Sequence, residues 1–133
     1  MLEHTAYAVV LKERKFLVVR RDSTDAWSLP GGHVEDDEPA EQCILRELKR
    51  YPGIPLGPIE QYGETEAPSP VEQDVMVKLS FFVIKVGREF QVGGHETENL
   101  AWIDSKYDGS KGSLALYMGD WLMDKLIRDD LID

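Results

Sequence analysis

The sequence has little cysteine, no long apolar run and no excess of positive charge, and each absence excludes something. Cys43 stands alone, so there is no intrachain disulfide and no cysteine-built metal site. No stretch of about 18 apolar residues occurs, so no membrane-spanning helix is expected. The start, Met1-Leu-Glu-His-Thr, lacks the basic and apolar regions of a signal peptide. Together these features favour a cytoplasmic location, which is the expectation. A net charge of −10 argues against nonspecific binding to a nucleic-acid duplex, which depends on neutralising phosphates. It does not argue against a small phosphorylated ligand held in a locally basic pocket. At 133 residues the chain has room for one core, and residues 1–133 are read as a single domain.

What is present centres on residues 27–54. Pro30-Gly31-Gly32 reads as a turn, because glycine accepts positive φ without steric cost. Pro39 suits a first helical turn, and Asp36, Asp37 and Glu38 suit the positive end of the helix dipole. Ala40, Ile44, Leu45 and Leu48 form an apolar stripe with Glu47 and Arg50 beside it, and Pro52-Gly53 ends the helix. Upstream, 5–11 and 15–20 are β-rich runs around the charged turn 12–14 and read as a hairpin covered on both faces. Downstream, 55–66 is a strand broken by glycines, 67–70 a loop, 74–86 the longest strand and 100–103 a short one. From Gly112 a last helix over 113–128 is expected, with Leu114, Tyr117, Met118, Trp121, Leu122 and Leu126 at helical spacing.

The central stretch resembles the signature of the Nudix hydrolases, G-x5-E-x7-R-E-U-x-E-E-x-G-U, where U is a bulky aliphatic residue. Gly32, Glu38, Arg46, Glu47, Leu48, Gly53 and Ile54 match in register. The preceding Trp27-Ser28-Leu29-Pro30-Gly31-Gly32 fits the W-x-L-P-G-G lead-in of the same family. The resemblance implies an α/β/α sandwich, a mixed β-sheet between the 39–50 and 113–128 helices. It also implies a pyrophosphohydrolase acting on a nucleoside diphosphate linked to another moiety, with Mg²⁺ or Mn²⁺ as cofactor. Gly32, Glu38 and Glu47 are then the metal-site residues, and Glu47 and Glu98 the catalytic carboxylates, with Glu96 a further loop candidate. Arg20, Arg21 and Arg50 are the substrate-binding candidates, and Glu35 and Arg46 a structural pair bracing loop against helix.

The family's last two glutamates are replaced by Arg50 and Tyr51, and Asp37 stands where glycine is common. Carboxylates at i, i+3 and i+4 of a helix converge and can hold a hard cation, whereas here the later two members are a guanidinium and a phenol. Metal binding is therefore expected to be weak or absent and hydrolysis impaired. The alternative is a module that keeps the scaffold to bind a nucleotide or a protein without hydrolysis. Arg50 has two readings, neutralisation of Glu47 or a metal-free phosphate clamp, and neutralisation is preferred. Tyr51 is expected to pack as an apolar ring, and Cys43 as a small buried filler. Glu96 and Glu98 also read simply as exposed loop acids. The sequence leaves the substrate and the oligomeric state open, a homodimer included.

Overall fold

A computed structural model describes residues 3–20, 26–51, 58–69, 72–86, 99–110, 112–115 and 117–133, with backbone only at 119 and 120. The elements are β1 (Glu3–Lys12), β2 (Lys15–Val19), β3 (Gly31–His33), α1 (Ala40–Leu48), β4 (Glu60–Pro68), β5 (Met76–Lys85) and β6 (Leu100–Ile103). A π-helical turn, Met118–Leu122, runs directly into α2 (Met123–Arg128). The described strands form one six-stranded sheet in the order β4-β5-β1-β2-β6, and β3 pairs with β1 off that path. Every strand pairing with a described register is antiparallel, while Trp27 and Leu114 form an isolated parallel bridge. The chain gathers into two compact units, one of Met1–Val9 with Pro30–Ile84 and one of Val10–Leu29 with Lys85–Asp133. No described helix is long and apolar enough to cross a membrane.

In the first unit, Gly31–His33 is a strand rather than the expected turn. Tyr7, Ala6 and Thr5 face Gly31, Gly32 and His33 across an antiparallel ladder, and neither glycine has positive φ. Glycine is needed at 31 for close approach instead, since a Cβ there would run into the carbonyl oxygen of Ala6. α1 is shorter than the 39–50 expected. Pro39 sits at its N-cap in an extended conformation (φ −64°, ψ 143°), one position before the first helical turn. At the other end, Arg50 N–H donates to Glu47 O (3.1 Å) and Tyr51 N–H to Leu48 O (2.9 Å). These i→i−3 bonds close the helix, because Pro52 disfavours helical geometry at Tyr51. The buried face carries Cys43, Ile44, Glu47 and Leu48: Cys43 is buried as expected, while Glu47 points inward and Ala40 and Leu45, expected in the stripe, are only half-buried. β4 includes Ala67 and Pro68, assigned to a loop from sequence, and pairs with β5 through an irregularity between Gln61 and Gly63.

In the second unit, the expected hairpin turns at Glu13 and Arg14, both at positive φ (50° and 65°), the geometry of a two-residue primed turn. β2 pairs with β6 from Phe16↔Ile103 to Val19↔Leu100. The last helix starts later than 113. Trp27 N–H donates to Ser113 O (2.8 Å) and Ala115 N–H to Trp27 O (2.8 Å). Those backbone groups are thus committed to Trp27 and cannot begin a helix. From Met118 onward, Met118, Leu122 and Leu126 are fully buried, the part of the apolar stripe that persists.

Arg14 fastens the chain's last residues to the hairpin turn. Its guanidinium pairs with Asp130 (2.7 Å) and Asp133 (2.5 Å) and donates to the carbonyls of Asp130 and Ile132 (3.2 and 3.1 Å). Asp133 O accepts from Ser105 Oγ–H (2.6 Å). The Arg14 guanidinium holds the Asp133 carboxyl below its ordinary value, so this contribution is present above the unfolded pKa and is lost as pH falls through the folded one. Arg14→Ala is therefore expected to lower the melting temperature at neutral pH, more at low salt. The gap from the native chain should close as pH drops below about 4. A gap unchanged at acid pH in melting curves would rule out this assignment.

Candidate functional site

The box residues of the first unit meet where β3, the loop 34–39 and α1 converge. The loop closes on itself, Glu38 N–H donating to Glu35 O (3.0 Å) and Glu35 N–H to Glu38 Oε1 (3.0 Å). Asp37 adopts the left-handed conformation (φ 63°), which explains why that position suits glycine; aspartate tolerates it better than most side chains. Arg46 then joins the loop to the helix. Its Nε and Nη2 donate to Glu38 Oε2 and Oε1 (3.1 and 2.9 Å), and Nη2 also to His33 O (2.9 Å). Nη1 reaches Glu47 Oε1 at 3.0 Å. The guanidinium holds the Glu38 carboxyl below the usual range, aided by the Glu35 N–H, and Arg46 itself is pushed up by that partner.

Glu47 is the carboxylate around which the rest is arranged. Its side chain is 9% exposed, Oε1 is held by Arg46, and Oε2 lies 3.4 Å from Nε of Arg50, which is 74% exposed. Gly32 makes room for it: a Cβ at Gly32 would stand 2.6 Å from Glu47 Oε1. Cys43, on the same buried face, donates its thiol to Gly32 O (3.4 Å) and His33 O (3.3 Å). Burial pushes that thiol up to about 11, so it stays protonated and unreactive at neutral pH. Tyr51 is half-buried with its phenol pushed up by burial, as a packed ring would be.

Gly32, Glu38, Arg46, Glu47 and Arg50 are thus brought together. The hydrogen-bonded loop partner of Arg46 is Glu38, which the 35–38 turn directs at the helix; Glu35 is exposed with its N–H serving the loop and acts on Arg46 through its charge. Arg20 lies in the second unit, its guanidinium 4.0 Å from the centroid of the Trp27 ring. Arg21, Glu96 and Glu98, with Gly53 and Ile54, lie outside the described residues. Sequence reasoning missed Cys43 as a prop for β3; its place three residues before Arg46, one helical turn away, was the available signal. It also missed Tyr117, whose hydroxyl bonds Ser28 Oγ (2.8 Å) and accepts from Leu29 N–H (3.0 Å), fixing the lead-in strand of the second unit.

The family model of the NUDIX domain matches residues 1–106. The chain belongs to the Nudix family. A Bacillus subtilis (strain 168) protein provisionally named as an 8-oxo-dGTP diphosphatase is 29% identical over 119 residues, 89% of this chain and 73% of that protein. The crystal structure of a MutT protein from Methanosarcina mazei Go1 superposes with a TM-score of 0.71 at 19% identity, covering 97% of this chain and 95% of the other. The NUDIX domain of Shewanella oneidensis NrtR, crystallised with ADP ribose, gives 0.65 at 22% identity, covering 98% and 86%. The α/β fold with a mixed sheet expected from the Nudix resemblance is therefore the fold found.

Nudix hydrolases generally use divalent metals, and the box residues of this chain can be tested against one. Among the described residues no three carboxylate, histidine or cysteine side chains group as a metal site. Both Glu38 oxygens accept from Arg46, and both Glu47 oxygens face guanidinium groups. As they stand, these carboxylates do not fit a hard cation that prefers six oxygen ligands. The packing at Gly32 is open to direct test. Gly32→Ala should displace the Glu47 carboxylate and cost about 1–3 kcal/mol, as overpacking does, read from urea denaturation. A change within error would mean that Glu47 does not lie against β3.

Proposed function

We propose that residues 1–133 act as one Nudix domain on a nucleoside diphosphate linked to another moiety, and hydrolyse its diphosphate slowly. The names of the relatives support the substrate class, since one is provisionally named an 8-oxo-dGTP diphosphatase and a structural neighbour was crystallised with ADP ribose. The observation that carries slow hydrolysis is the double pairing of Glu47. A carboxylate can take a proton from water only through a free lone pair within hydrogen-bond reach. Each Glu47 oxygen faces a guanidinium, and these two groups crowd the approach of a water to either oxygen. Glu98, with Glu96 as the alternative, completes the proposal as the carboxylate supplied from elsewhere in the sequence. Arg20 and Arg21 are the proposed phosphate contacts, Arg20 with its guanidinium braced on Trp27. A cytoplasmic location and the lack of duplex or membrane partners belong to the same proposal, supported by the acidic net charge of −10 and the single cysteine.

The second reading, a binding module without hydrolysis, is favoured by the engagement of Glu38 with Arg46, which together with the pairing of Glu47 leaves both of these box glutamates facing guanidinium groups. One experiment separates the two. Hydrolysis of ADP-ribose and 8-oxo-dGTP with Mg²⁺ is measured for the native chain and for the Arg50→Glu, Tyr51→Glu double variant. Slow native turnover that rises at least about tenfold in the variant, a gain of about 1.4 kcal/mol in the barrier, supports the enzyme. Nucleotide binding with no turnover in either form supports the module. Native turnover in the ordinary enzyme range of about 1–10³ per second overturns the impaired reading.

A further inference from the structure

We propose that Arg50 is the resident counter-ion of Glu47, standing in for a divalent cation, so that the box is charge-satisfied without metal and acquires cation affinity when Arg50 is removed. The inference rests on the impaired-site reading above and deepens it.

Four observations lead to it. The Glu47 side chain is nine-tenths buried, and an ionised carboxylate so placed needs compensation. Arg46 gives only part of it, because the same guanidinium also holds Glu38 through Nε and Nη2 and serves His33 O. That leaves Glu47 Oε2 to Arg50, which stands where the family resemblance places a carboxylate. Arg50 meets it through Nε at 3.4 Å, longer than a short charge-assisted hydrogen bond, while most of its guanidinium is exposed. The contact therefore acts chiefly through charge, the same service a metal ion would render. A guanidinium keeps that charge at every working pH.

The position of Arg50 just beyond α1 makes this possible. The helix ends at Leu48, and the turn that follows keeps Arg50 at i+3 from Glu47, its N–H bonded back to Glu47 O. The long side chain is thus attached to the residue whose carboxylate it neutralises, a tethered cation at high local concentration. A free ion must compete with it and with the charge of Arg46, which disfavours a second positive charge at Oε1.

The test is Mn²⁺ binding followed by the loss of the free-ion electron paramagnetic resonance signal. The 133-residue chain is compared in native form and as Arg50→Ala, Arg50→Lys, Glu47→Gln and Arg50→Ala/Glu47→Gln. Exposed carboxylates will take Mn²⁺ weakly in every form, so the differences carry the result. Arg50→Ala should gain at least about tenfold in affinity at one site, and Glu47→Gln in that background should abolish the gain. Arg50→Lys should behave as the native chain, and Glu47→Gln alone should leave native Mn²⁺ binding unchanged. Melting curves give a second reading should Arg50→Ala fold poorly. It should melt lower than the native chain in EDTA and recover in Mn²⁺, because an ion that binds only the folded state stabilises it.

No gain in Arg50→Ala, no recovery in Mn²⁺, or a loss of native binding in Glu47→Gln would each overturn the assignment. Native hydrolysis of ADP-ribose measured in parallel keeps the two proposals apart. Fast native turnover with the expected Mn²⁺ pattern fails the slow-hydrolysis reading and leaves Arg50 as assigned. Slow turnover without the pattern does the reverse.

Discussion

Burial of the Glu47 carboxylate against Gly32 is the constraint on which the first unit's site depends. A charge kept from water must be met by opposite charge and hydrogen bonds, or its neutral form takes over. Two arginines meet this one. Arg46 cannot do so without its other bonds, to Glu38 and to the His33 carbonyl. Those bonds fix the loop, and the loop in turn relies on the left-handed turn at Asp37. Cys43 adds its thiol from the next turn of the helix, bonding the same short strand. Strand, loop and helix are thus coupled through a single cluster, so a change at one of its members is felt by the others.

The second unit is organised by a different device. Trp27 is almost wholly buried, its backbone pairs with 113 and 115, and Arg20 lies over its ring. Gly112 eases this: at its φ of 123° a side chain would be strained, and a Cβ would press on Arg20 Nη1 at 3.0 Å. The Tyr107 hydroxyl bonds the Gly112 carbonyl, and the Tyr117 hydroxyl bonds the residues that follow Trp27. Arg20 is therefore held in a braced position, its guanidinium against the Trp27 ring.

Much of this was legible in the residues. The long strand pattern of 74–86, the charged turn expected at 12–14 and the short run 100–103 became β5 over 76–85, a turn at Glu13 and Arg14, and β6. The spacing from Gly32 to Glu47 carried the family. The misreadings share a cause, which is that each answer lay in a distant partner. Gly31 and Gly32 look like turn residues locally, yet one is glycine because Ala6 passes close and the other because a carboxylate does. The 113–128 pattern reads as one helix until Trp27 claims the backbone at 113 and 115. Glu35 and Glu38 are equally eligible partners for Arg46 by spacing, and only the closure of the 35–38 turn selects Glu38.

The central claim is that a guanidinium occupies the place beside Glu47 that a metal would otherwise take. The most direct measurement is anomalous diffraction from crystals of the native chain soaked in Mn²⁺. The account predicts Arg50 density against Glu47 Oε2 and no anomalous peak at that carboxylate. A peak at Mn–oxygen bonding distance, about 2.0–2.3 Å from a Glu47 oxygen, with Arg50 turned away, would contradict it.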